Sequence, residues 1–369
     1  MNASTKSRIK TIFRIITLTA VVLFLLAELI ARHFEHTVRL KPEAERAKLP
    51  IASDSYPCLM VSRMEPSGSL RAAIQQCSPA LNNDVDIEQF EVDLRSGMFV
   101  LRKTDLFVLD SMPLALTRAY RLWDTHSRAF GIGGNHPYDI FPYGDHFPYT
   151  YMELLLGDGA TIHYSRISRG TSFSNFLAEH NGVPPLIFQK SRIGWNIDHW
   201  DMKFQDGTLF RFPEAYGIKR GVEGALVGMR SPQGDEIVFV RDAKRNLQSI
   251  TSPHNHRIQF AYDDRDRVIE AADDRGNVVR YSYDRDGRLV EVQENGRVQW
   301  RYGYDASGMT TVEDAGGPAI LVQYSRDRVA SLTLEKNRAY HFDYLVTPRG
   351  HVDETMVTDP SGKAVSFRF

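Results

Sequence analysis

Six residues of types that could ligate a metal fall close together: His126, His136, Asp139, Asp145, His146 and His163. Imidazole and carboxylate side chains are what a zinc site is built from. No two of these histidines have the spacing by which one helix or hairpin would bring both to one ion, so loop hydrogen bonding is the expected role. The clusters Asp263-Asp264-Arg265-Asp266 and Asp284-Arg285-Asp286 suggest calcium. An EF-hand loop needs further ligands and a closing Glu, which neither supplies, so turn formation is expected of them too. Tyrosines interleaved with arginines could stack sugars or bases. They lie on apolar strand faces, however, and a core role is expected. G-x-S-x-G, P-loop, HExxH and C-x-x-C motifs are absent from the sequence. The expectation is therefore a chain without a cofactor or metal that is not an enzyme. Catalytic residues distant in sequence leave an enzyme of unrecognised type as an alternative.

The elements that would position these residues differ along the chain. Lys6, Arg8, Lys10 and Arg14 precede the uncharged run 15–27, and residues 12–31 as a helix would reach ~30 Å, enough to cross a bilayer. The same run suits a signal peptide, although neither Ala27 nor Ala31 completes an A-x-A site. An uncleaved anchor is expected, with residues 1–11 as a cytoplasmic tail and the bulk of the chain periplasmic or extracellular. A polar linker, 32–55, follows. Residues 56–89 hold Cys58 and Cys77, the sole cysteines. On the outer side of a membrane they are expected to form a disulfide, worth ~3 kcal/mol for a loop of this size. With 45 basic and 46 acidic side chains, no net field attracts nucleic acid.

From about Phe90 short strands alternate with turns such as Gln205-Asp-Gly207 and Pro232-Gln-Gly234. A β domain is expected over 90–227 and a repeat array over 228–369. In the array Tyr262, Tyr283 and Tyr304 recur every 21 residues, and Tyr324 follows 20 later. Each cycle carries two turns and two strands, hence one hairpin. Alternation places Tyr281 with Tyr283, and Trp300 with Tyr302 and Tyr304, on buried faces. The predicted fold class is mainly β, with antiparallel hairpins forming a coiled sheet behind the N-terminal helix. One hairpin alone is marginal, and stacking buries a continuous core.

Tyr283-Asp-Arg-Asp-Gly-Arg-Leu-Val290 resembles the signature of the YD-repeat, or RHS, family of exported proteins. Upstream, Asp93-Leu-Arg-Ser-Gly97, Pro113-Leu-Ala-Leu-Thr-Arg-Ala-Tyr120 and Phe130-Gly-Ile-Gly-Gly-Asn-His-Pro-Tyr-Asp139 resemble the domain that commonly opens RHS proteins. Together these cover roughly residues 90–345. One departure is Gly134, which stands near a position where the family often has Trp. The family's large members resemble hollow shells of coiled β-sheet around a C-terminal toxin. About six hairpins are too few to enclose a further domain, so a shell role does not carry over intact.

The function this implies is a membrane-anchored envelope or cell-surface interaction protein, a truncated relative of RHS toxin-delivery proteins being one origin. The alternative is a carbohydrate-binding module that stacks a glycan on Trp123, Trp195 or Trp200. The last strand, 364–369, has apolar residues on one face and is an expected edge for self-association or a protein partner by strand addition.

Overall fold

The computed structural model describes residues 90–369, apart from 95, 122–123, 146–147, 158, 160, 182–187, 215–219, 318, 335–337 and 349. The expected anchor and the Cys58–Cys77 pair lie outside these residues. Among the described residues no helix is long and apolar enough to cross a membrane.

The chain is mainly β. The described residues open with β1 (Phe90–Asp93), β2 (Met98–Val108) and β3 (Leu114–Arg121), antiparallel and joined to the short strand Gly134–Asn135. From Phe141 onward, 21 antiparallel strands pair in one sheet, each with the strand next to it in sequence. The sheet passes from Leu209–Pro213 to Gly228–Arg230 without a break, so the YD hairpins continue strands that begin further upstream.

Turn chemistry sets this layout. Asp273, Asp284 and Asp359 each turn a carboxylate back onto backbone amides of their own turn, at 2.8–3.0 Å. Asp263 does the same with the amides of Arg265 and Arg267. Such bonds replace solvent for amides that no strand partner reaches. Asn295 and Gly296, both at positive φ, close the hairpin between Glu294 and Arg297.

The change of repeat spacing from 21 to 20 has a structural cause. Tyr262 pairs with Val268 and Tyr283 with Leu289. Tyr304 pairs with Met309 and Tyr324 with Val329, across turns one residue shorter.

Beside every one of these pairs the ladder slips by one residue, which leaves Ile269, Val290, Thr310 or Ala330 unpaired. A bulge bends its strand and increases twist, so a bulge in each hairpin coils the sheet. It also releases the carbonyl before it. Those of Leu247, Val268, Leu289, Met309 and Val329 accept hydrogen bonds of 2.6–2.9 Å from the phenols of Tyr262, Tyr283, Tyr304, Tyr324 and Tyr344. In every case donor and acceptor are 15 residues apart. Each signature tyrosine is thus bonded to the hairpin before its own. Tyr344, which no Asp follows, belongs to the series.

Arginine adds a second link between neighbours. Arg267, paired with Asp263, stands 4.3 Å over the ring of Tyr283. Arg288, paired with Asp284, stands 5.1 Å over Tyr304.

Candidate functional site

The two aromatic positions of each Tyr-x-Tyr strand do different work. The second bonds to the preceding hairpin. The first faces the segment 90–139, which lies along the sheet. Phe239, Phe260, Tyr281 and Tyr302 occupy equivalent places in four successive hairpins. Along them the segment sets Tyr138 against Phe239 at 5.6 Å, His136 against Phe260 at 5.9 Å and Phe130 against Tyr281 at 4.8 Å. Arg118 lies 5.7 Å from the Tyr302 ring. The order is reversed, so the segment runs back along the array as the sequence advances.

Backbone bonds hold the same register. Val268 N donates to Ala129 O at 2.7 Å, Ile132 N to Gly287 O at 3.1 Å, and Val329 N to Gly97 O at 2.8 Å. Gly131 is required here. Its φ is +79°, and a Cβ would lie 2.2 Å from the carbonyl oxygen of Gly287.

At the centre of this seam is a buried polar group. A bulge in β2 sets Asp105 between the pairs Thr104–Thr117 and Leu106–Leu116. Its carboxylate accepts both arms of the Arg118 fork, Nε at 2.5 Å and Nη2 at 2.9 Å. Tyr281 donates to Asp105 at 2.8 Å, and Arg118 Nη2 donates to the Tyr302 phenol at 3.1 Å. Burial alone would push the guanidinium down, but Asp105 and the Tyr302 and Tyr281 phenols together outweigh burial and hold it firmly charged. Burial pushes the Tyr302 phenol up to about 12, so it remains a hydroxyl. Lys103 stands 3.8 Å over the Trp300 ring. Burial, then the charge of Arg118, pushes its amine down to about 7.

Towards the ends, Asp139 pairs with Arg241 at 2.9 Å, and Arg241 also bonds the Tyr138 carbonyl. Asp110 accepts bonds from Ser252 Oγ, His254 Nδ1 and the His254 amide. Burial would raise the Asp110 pKa, but these bonds prevail and hold it well below the usual carboxylate range. The result is a clasp, in which charge and hydrogen bonding are directed at joining the segment to the sheet.

The two partners in the clasp correspond to two known sequence families. The family model for the Teneurin YD-shell matches residues 230–348, and that for a domain of unknown function, DUF6531, matches residues 90–164. Over these two stretches the chain is similar to RHS/YD-repeat proteins. No curated protein matches it. Solved structures to which the chain is similar include the TcdB2-TccC3-Cdc42 crystal structure, at 12% identity and a TM-score of 0.31. TcdB2-TccC3 without its hypervariable C-terminal region is similar at 11% and 0.32. The Photorhabdus luminescens Tc holotoxin pore is similar at 12% and 0.32. Each comparison covers 76% of this chain and 15% of the other, so this YD-repeat chain spans about a seventh of their length.

Other candidates in this YD-repeat chain are dispersed. His126 is exposed beside Asp124, His163 pairs with Glu153 at 2.7 Å, and Asp145 bonds the Thr150 and Tyr151 amides. His146 lies outside the described residues, among which no group of three or more ligating side chains forms. Trp123 also lies outside them. Trp200 is 5% exposed and packs edge-on to Phe176 and Trp195. That position corrects its expected role as a glycan platform, because the ring is buried among core side chains. Trp195 is half-buried, with Phe173 edge-on at 5.5 Å. Tyr281 and Tyr302 are buried, whereas Tyr262, Tyr283, Trp300, Tyr304 and Tyr324 are half-buried against the core.

Sequence reasoning missed Asp105, Arg118, Lys103 and Arg241 as partners of the array. One signal was available. Asp105, Lys103 and Arg118 are charged residues inside strands with runs of consecutive apolar side chains, such as Met98–Leu101 and Leu114–Leu116, where a charge needs a partner.

Proposed function

We propose that this chain is a membrane-tethered YD-repeat scaffold, related to toxin-delivery proteins, that acts outside the cytoplasm by binding a partner on the outer face of its sheet. One observation carries the reading. The face of the hairpins that would otherwise meet a cargo is occupied by the chain's own segment 90–139, and Asp105, Arg118, Tyr281 and Tyr302 there are bonded to one another. The opposite face carries exposed cross-strand pairs such as Glu270–Arg280 and Glu291–Arg301. Charged rims of this kind favour encounter and selectivity over raw affinity.

Photo-cross-linkers placed singly at Arg280, Arg301 and Leu321 in intact cells test this. Adducts with another chain are expected at one or more of them, and only internal adducts at Tyr281. Internal adducts alone at all four positions exclude an outer-face partner. A reporter active only outside the cytoplasm, fused after Phe369, should be active, and its silence beside an active cytoplasmic reporter removes the tethered topology.

Trp195 supports a second reading, carbohydrate binding. Its half-exposed ring adjoins Phe173, which is 42% exposed. Glycan-array binding that is lost in Trp195→Ala is expected of this reading, and no binding by the intact chain ends it.

A further inference from the structure

His136 is a polar rung of the clasp whose side chain has no hydrogen bond among the described residues, whereas Tyr138 bonds Ala115. Tyr281 and Tyr302 give hydroxyls to Asp105 and Arg118, but the equivalent residue opposite His136 is Phe260, which has none. The imidazole is fully buried, and neither ring nitrogen has a hydrogen-bond partner among the described residues. Buried polar groups are normally bonded, so an exception calls for a reason.

We propose that His136 makes the seam between the segment and the sheet acid-sensitive, so that protonation releases the glycine-rich stretch 129–139 from the first YD hairpins. The charges around it support this. From its own turn, Asp139 lies 3.6 Å from Nε2. From the strand Glu236–Arg241, Arg241 already pairs with that carboxylate at 2.9 Å. From the strand Arg257–Tyr262, Tyr262 bonds the Leu247 carbonyl and adds no charge. Tyr138, beside His136, is bonded to Ala115, and Arg128 adds a further positive charge acting on Asp139. A proton on His136 would thus give two adjacent cations one shared carboxylate in an enclosed site. Burial disfavours the charged ring and outweighs the attraction of Asp139, so the His136 pKa lies below its usual value.

The sign follows. A histidine depressed in the folded state binds its proton more readily when released. Its contribution to the closed seam is complete above the ordinary histidine pKa and is lost as pH falls through that value. His254 behaves oppositely. Its bond to Asp110 raises its pKa, so that contact persists in acid and is lost as pH rises through the raised value. Acid is therefore expected to open the seam around His136 and leave the Asp110–His254 end fastened.

Hydrogen exchange of the full chain at pH ~7.5 and ~5.5, corrected for intrinsic exchange, tests the proposal. Protection of amides such as Phe130, Ile132 and Val268 should fall at least tenfold more than that of the Tyr281–Val292 ladder. His136→Phe should remove the difference, as should Phe260→Tyr, which gives the ring a partner, whereas His254→Ala should retain it. Equal protection at both pH values in the wild-type chain overturns the proposal. So does an undiminished acid effect in a folded His136→Phe or Phe260→Tyr variant. The wild-type measurement alone decides if neither variant folds.

Discussion

Tyr283 donates its phenol proton to the carbonyl of Val268, 15 residues earlier and in the preceding hairpin. The carbonyl is available because Ile269 bulges out of the ladder beside it. One bond thus offsets the polar cost of the bulge that coils the sheet.

Tyr283→Phe should accordingly leave a buried carbonyl without its partner and lower stability by about 1–3 kcal/mol. Tyr304→Phe should cost a similar amount, for the same reason at Leu289. Urea denaturation checks both. A loss under ~0.3 kcal/mol in each would mean that the bond contributes nothing beyond ring burial.

Arg118→Met removes the cation from a carboxylate that is 4% exposed. Breaking a buried pair from one side should cost about 3–5 kcal/mol. The double variant Asp105→Leu/Arg118→Met removes both charges and should recover most of that loss. A double variant as unstable as the sum of the singles would place the effect in packing instead of charge.

Gly131→Ala should lower stability by about 2 kcal/mol or more, because the residue is held at positive φ against the Gly287 carbonyl. Exchange at the Ile132 amide, which bonds Gly287, should accelerate in parallel. Unchanged exchange there would dissociate the glycine from the seam.

Lys103 makes a prediction about alkaline pH. Its amine is pushed from 10.5 down to about 7, so the unfolded chain holds a proton that the folded chain sheds between those values. Its contribution to stability therefore rises with pH across that window. Lys103→Met should stabilise the protein at neutral pH, and the advantage should shrink as pH approaches 10.5. Thermal melts at intervals across the range check this. A constant difference between variant and wild type would mean that the amine titrates normally.

The repeat was legible in the sequence because it is local. Turn residues recur in phase, and strand alternation specifies which side chains go inward. The Asp clusters were equally readable, since an aspartate that caps its own turn needs partners only two to four residues away. The clasp was not legible. Arg118 and Tyr302 are 184 residues apart, and Asp139 and Arg241 are 102 apart. Nothing within either stretch names the other. The dual use of the tyrosines was hidden for a related reason, because period two places Tyr281 and Tyr283 on one face while the bulge gives them different neighbours. Trp200 is a similar case. Its strand alternates correctly, but its cross-strand pairing with Trp195 directs it into the core.

Arrays built from one repeated unit can usually gain or lose a unit, because each touches only its neighbours. The segment 90–139 removes that freedom here. It meets Phe239, Phe260, Tyr281 and Tyr302 in turn, with spacings that only four consecutive hairpins reproduce. Inserting one hairpin after Tyr262 would carry Tyr281 and Tyr302 a full rung beyond Phe130 and Arg118. The segment thus acts as a gauge for the array, and repeat number becomes a property of the fold instead of an accident of duplication.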